Sequence, residues 1–190
     1  MKLLSQRQVL IGLGLAALMA ATRMHHFGSA LHLPDASLAV FLLAGFFIAS
    51  PLLFGALLLE AGALDYVAIT HLGVSDFCVT PAYWFLIPTY AVMWFAGRYY
   101  ASIHQRTLRS LGKFAGIAFA AVSVAFSISN GSFYWLSGRY ADTNMTEYLA
   151  RVAKYYPQYL TSGLLYLGCA AALYAVLTAR GHAAAKTTGR

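Results

Sequence analysis

The chain has 190 residues, of which 60% are hydrophobic and 10% charged, with a mean hydropathy of +0.64; an ordinary soluble domain is about 45–50% apolar and about 25% charged. Such a composition excludes a water-soluble globule and predicts an integral membrane protein. The formal charge of +7, from 13 Lys/Arg against 6 Asp/Glu, does not read as nucleic-acid binding, because the basic residues sit between apolar blocks instead of forming one basic domain.

Bilayer hydrocarbon cannot hydrogen-bond to the backbone, so apolar runs of about 20 residues must be helical, and no alternating strand pattern competes. The expected fold class is all-α: a polytopic bundle of six transmembrane helices forming a single domain over 1–190. The first helix is placed at about 6–24. Lys2 and Arg7 before the run Val9 to Ala21 resemble a secretory signal, but the segment is read as a retained helix. Gly12, Ala16 and Ala20 recur at four-residue spacing beside Ala17 and Ala21, a small-residue face suited to close packing within the bundle or to a partner.

The stretch Ala36 to Leu72 is 37 residues long and is interrupted at Ser50-Pro51, where a helix stops or restarts. Two helices, at about 36–50 and 51–70, put both termini inside with 9 basic residues there against 4 outside. A single helix would give 5 inside and 8 outside, against the positive-inside rule. Further helices are expected at about 81–100, 110–130 and 157–179. Asn144 and Glu147 have capping-box spacing, which predicts a short outer helix at about 145–156 before Pro157 opens the last span.

In this topology Asp35, Asp65, Asp76, Asp142 and Glu147 fall on the outer side, and Glu60 lies at depth. A charge in hydrocarbon is costly, so Glu60 and Asp65 are expected to pair with Arg23, Arg139, Arg151 or Lys154, to meet interfacial water, or to face a ligand cavity. His25, His26, His32 and His71 share the outer side, without H-E-x-x-H or paired C-x-x-C patterns that would hold zinc. Outer aromatics such as Tyr83, Trp84, Phe133 and Trp135 fit an interfacial belt or the lining of a site.

Of two cysteines, Cys169 sits among Gly168, Ala170 and Ala171 as a small packing residue, whereas Cys78 lies in the polar stretch Ser75-Asp76-Phe77-Cys78-Val79-Thr80-Pro81. A thiol near a helix N-terminus has its thiolate favoured, as a nucleophile or metal ligand. There is no G-x-x-x-x-G-K-[ST] and no G-x-S-x-G, so neither P-loop ATP hydrolysis nor a serine hydrolase is indicated. Two further readings stay open: an intramembrane enzyme using Cys78 and a histidine, and an accessory protein docking through its first helix.

Taken together, the small-residue first helix, His26, the block Leu33-Pro34-Asp35-Ala36-Ser37-Leu38-Ala39-Val40-Phe41, Asp65, and Phe77-Cys78 followed by Tyr83 resemble the BtuM family. Its members are substrate-binding S-components of the energy-coupling-factor type, assigned to vitamin B12 uptake across the inner membrane of Gram-negative bacteria. The resemblance implies a cobalamin (corrinoid) bound in an outward-opening cavity, with Cys78 matching the cysteine that ligates cobalt. It further implies polar contacts from Asp65, Tyr83 and Arg151, and a histidine near the site matched by His26. An energy-coupling ATPase module would be the partner, docked through the first helix. A soft thiolate suits cobalt, and its binding would displace cyanide from the opposite face, so Cys78 is also the candidate for decyanation of cyanocobalamin.

Overall fold

The computed structural model describes residues 5–23 and 33–188. Among them are six α-helices: α1 (Gln6–Arg23), α2 (Ser37–Phe47), α3 (Pro51–His71), α4 (Leu86–Ile103), α5 (Leu108–Leu136) and α6 (Met145–Thr188). Two 3-10 turns, Asp76–Cys78 and Pro81–Phe85, join α3 to α4. The all-helical class follows from the apolar runs. Among the described residues three helices are long and apolar enough to cross a membrane: Pro51–His71, Leu108–Leu136 and Met145–Val176.

Side-chain chemistry starts most of the helices, α4 excepted. A reciprocal box opens α1, where Ser5 Oγ accepts from the Gln8 amide at 3.3 Å while Gln8 Oε1 accepts from the Ser5 amide at 3.0 Å. Asp35 opens α2, its Oδ1 accepting from the Ser37 amide at 2.9 Å and the Ser37 hydroxyl at 2.6 Å. Ser50 Oγ takes the Leu53 amide at 3.4 Å, with Pro51 at the first helical position, and Thr107 Oγ1 takes the Ser110 amide at 3.2 Å at the head of α5.

The centre of the bundle is α2. Its 11 residues rise only about 16 Å, and every residue from Ser37 to Gly45 is buried. A helix that is apolar on all sides serves as a core or as a lipid-facing span, and α2 is covered by protein along this whole stretch. Its expected extension to residue 50 is cut short: the amides of Ile48 and Ala49 both close onto the Ala44 carbonyl at 3.0 Å, and Ala49 adopts a left-handed φ of 53°, which ends the helix as a C-terminal cap does. The partner α4 crosses α2 at backbone contact. A Cβ on Gly45 would run into the Trp94 carbonyl, and one on Gly97 into the Leu42 carbonyl, so each helix supplies the glycine that admits the other. Phe41 stacks on Tyr90 at 4.3 Å beside this crossing.

The face of α1 that turns inward is Gly12, Leu15, Met19 and Thr22, and Gly12 sits about one methyl from Ile48 and Leu53, 3.6 and 3.7 Å from where its Cβ would be. Ala17 and Ala21 of the same small-residue run are exposed.

Two boundaries differ from expectation. The turn entering α4 occupies Pro81–Phe85 as a 3-10 segment, and the α-helix begins at Leu86. The separate outer helix at 145–156 does not exist as such, because α6 continues through Pro157. Pro157 is exposed, as is Ala153 one turn earlier, so the carbonyl that loses its partner lies on an open side of the helix instead of in the core. The Asn144 cap itself is present, with Oδ1 accepting from the Glu147 amide at 2.9 Å.

Candidate functional site

At one end of the bundle the last turn of α1, the start of α2, the last turns of α3 and the start of α4 converge on a single arginine. The Arg23 guanidinium donates from Nε to Asp65 Oδ1 at 2.7 Å and from Nη2 to Asp65 Oδ2 at 2.6 Å, the paired geometry that planar guanidinium and carboxylate groups favour. Its Nη1 reaches the Tyr90 hydroxyl at 2.7 Å, Ser37 Oγ at 2.9 Å and Asp35 Oδ2 at 3.4 Å. The Tyr83 hydroxyl donates to Asp65 Oδ2 at 2.6 Å. With its side chain only 9% exposed, Arg23 is a buried cation held by two carboxylates, and its neighbours satisfy the remaining donors. Of the four basic residues offered as partners for Asp65, geometry selects Arg23. No ion pair with Glu60 occurs among the described residues.

A second cluster stands at the same end, built by α5, α6 and the loop between them. Tyr134 is its keystone. Its hydroxyl accepts from the Asn144 amide at 2.8 Å and faces the Asn144 carbonyl at 3.0 Å and Glu147 Oε2 at 3.2 Å; Glu147 therefore bonds to the tyrosine instead of folding back on the Asn144 amide as a full capping box requires. The Arg151 guanidinium lies over the rings of Tyr140, Tyr155 and Tyr134 at 4.5, 5.1 and 5.8 Å, a cation held by three π faces. Its Nε is buried with no hydrogen-bond partner among the described residues. A buried donor without an acceptor is costly, so the Arg151 Nε is a donor that the described residues leave unused.

Cys78 lies between the two clusters and is exposed. Next to it, Arg139 donates from Nε to the Phe77 carbonyl at 3.3 Å and sits 5.0 Å from the Phe77 ring; Phe77 in turn meets Phe133 at 5.6 Å. The thiol is near enough to Asp65, Arg139 and Tyr140 to feel or exert their charges. Desolvation by the surrounding protein pushes the Cys78 thiol up, the Asp65 carboxylate pushes it further the same way, and Arg139 opposes them. This corrects the expectation of a helix-favoured thiolate. Cys78 closes a 3-10 turn instead of opening a helix, and the nearest downstream α-helix starts at Leu86.

The sequence-derived site residues are thus brought together in part. Asp65 and Tyr83 are bonded to each other, Cys78 is within electrostatic range of Asp65, and Arg151 belongs to the neighbouring tyrosine cluster, packed on Tyr140. His26 lies outside the described residues, as do His25 and His32; His71, at the end of α3, is exposed. No group of three or more His, Cys, Asp or Glu side chains that would hold a metal ion by itself occurs among the described residues. Of the residues that complete the Arg23 cluster, Ser37 lies in the Leu33–Phe41 block that carries the resemblance, whereas Tyr90 has no sequence signal beyond its place in an apolar run. Against known proteins, the chain matches no family model and no curated sequence.

Proposed function

We propose that the chain is a membrane-embedded S-component that captures vitamin B12, with six spans, both termini cytoplasmic, in the bacterial inner membrane. The observation that carries this reading is the exposed Cys78 thiol within electrostatic range of Asp65, at the end of the bundle where Tyr83 and Arg151 also sit. In this reading the substrate brings the metal. Cys78, as thiolate, takes one axial position of the corrinoid cobalt, a soft donor on a metal already held in its macrocycle. Arg151, with its unpaired Nε, supplies a charge-assisted donor to an amide arm or phosphate of the substrate. Tyr140 and Phe77 offer aromatic surface for the ring.

The same contact removes cyanide from cyanocobalamin by ligand exchange: the thiol first loses its proton to solvent, a cobalt–sulfur bond forms as the cobalt–carbon bond breaks, and cyanide leaves as the anion, which takes up a proton from water. Cobalt keeps its oxidation state. Transport then requires the site to open to the other side, driven by an ATPase module docked on α1, whose Ala17 and Ala21 remain exposed.

Protein purified from cells given cobalamin should be red and contain cobalt, and addition of cyanocobalamin should change its cyano spectrum with wild type and leave it unchanged with Cys78→Ala. A colourless, cobalt-free preparation with no cobalamin affinity removes the proposal. An identical spectral change in Cys78→Ala removes the thiolate's part in it.

A further inference from the structure

The bundle's other end holds a feature that cobalamin capture does not use. A cavity of about 550 Å³ opens between the start of α1, the end of α2, the α4–α5 turn and α6. Two exposed arginines, Arg7 and Arg106, line it together with Ser5, Gln8, Ile11 and Phe47. A second cavity of about 350 Å³ shares Phe46, Phe47, His104, Arg106, Tyr174 and Thr178 with the first, so that Arg106 stands where the two meet, and continues along Leu43, Leu111 and Ala171. The two form one cleft with a basic head and an apolar tail.

His104 is fixed in the shared wall. Its Nδ1 pairs with the Tyr100 hydroxyl at 2.9 Å and its Nε2 with the Tyr174 hydroxyl at 3.0 Å, tying α4 to α6 and leaving neither ring nitrogen for a ligand. None of the chain's six acidic side chains lines either cavity, and neither arginine makes an ion pair among the described residues. Two guanidinium groups without carboxylates, at the head of an apolar groove, call for an anion attached to hydrocarbon.

We infer that this cleft binds an anionic phospholipid, its phosphate between Arg7 and Arg106 and an acyl chain along Phe47, Leu43 and Ala171. The inference rests on the chain lying in a bilayer and not on its cargo. Guanidinium groups recognise phosphate through paired donors, and basic pockets between membrane helices are suited to lipid head groups. The combined cavities fall in the size range of small-molecule sites.

The test uses the full chain in mixed micelles, with phosphatidylglycerol or phosphatidylcholine as probes and retained lipid counted by native mass spectrometry. Wild type should retain phosphatidylglycerol about tenfold better than phosphatidylcholine, and Arg7→Gln/Arg106→Gln should bring the two together. Arg109→Gln, an exposed cation outside the cleft, should behave as wild type. Ala171→Phe, which fills the apolar arm, should weaken phosphatidylglycerol retention with the arginines intact. Equal retention of the two lipids by wild type, or an equal loss in Arg109→Gln, overturns the site. Displacement of phosphatidylglycerol by millimolar inorganic phosphate overturns the lipid assignment in favour of a free anion. Because cobalamin colour is read independently, a colourless protein that still selects the anionic lipid separates failure of the functional proposal from failure of this one.

Discussion

Arg23 and Asp65 meet through two hydrogen bonds, at 2.7 and 2.6 Å, across 42 residues of sequence. The pair joins the end of α1 to the end of α3, and through Tyr90 and Ser37 it also ties in α4 and α2. Removing one partner from such a pair leaves the other charge buried and uncompensated, a loss of about 3–5 kcal/mol. Arg23→Gln should therefore lower the unfolding temperature in detergent more than any substitution at the rim. Tyr83→Phe removes one bond to a carboxylate that keeps its arginine, a cost of about 1.5 kcal/mol. A Tyr83→Phe variant as unstable as Arg23→Gln would show that the ion pair is not the main tie.

The α2–α4 crossing makes a sharper claim about packing. Because a Cβ at Gly45 would meet the Trp94 carbonyl and one at Gly97 the Leu42 carbonyl, the obstruction is backbone, and no rotamer change relieves it. Gly45→Ala and Gly97→Ala should each cost about 1–3 kcal/mol or more through forced separation of the helices, whereas Gly55→Ala, whose Cβ would meet nothing within 4 Å, should stabilise α3 slightly through helix propensity. Thermal unfolding of the three single variants orders them.

These two features mark where sequence reading stops. The helices were legible because apolar runs have no other folded form in lipid, and the break near Ser50-Pro51 was legible because proline and a serine cap are local signals. The early end of α2 was not, since alanine has no preference for the left-handed conformation that Ala49 adopts. Pro157 signals a break by the same local rule as Pro51, yet it lies on an exposed face where the lost hydrogen bond is tolerated. Asp65 and Tyr83 could be singled out, but choosing Arg23 over Arg139, Arg151 or Lys154 needs the fold, because spacing across separate helices fixes no register. The thiol of Cys78 could likewise be named from its polar surroundings, while its electrostatics depend on an aspartate from another helix.

His104, in the turn after α4, is held with its imidazole pushed below the ordinary value, first by desolvation and then by the Arg106 charge. The fold therefore favours the neutral ring. That contribution is whole above the ordinary imidazole value of about 6.5 and is lost as pH falls through the lower folded value. Unfolding temperature should decline on acidification below about 6.5, and His104→Gln should flatten that part of the profile. An unchanged slope in His104→Gln would assign the acid sensitivity to other groups.

The thiol of Cys78 supplies the last test, because the proposed chemistry requires its thiolate and the fold opposes it. Desolvation and Asp65 raise the thiol above its ordinary range, and Arg139 lowers it, so the rate of iodoacetamide alkylation should reach its midpoint at a pH above the ordinary value of about 8.5. Asp65→Asn removes an anion and should move the midpoint down; Arg139→Gln removes a cation and should move it up. Opposite displacements by two substitutions, neither of which alters the cysteine, would tie the thiol to both neighbours through charge. Metal ligation adds a consequence: a donor that must lose a proton binds in a pH-dependent way. The pH profile of the cobalamin spectral change should therefore shift in the same direction as the alkylation midpoint in each variant. A spectral change that ignores pH while alkylation follows it would mean that the cobalt is met by some group other than Cys78.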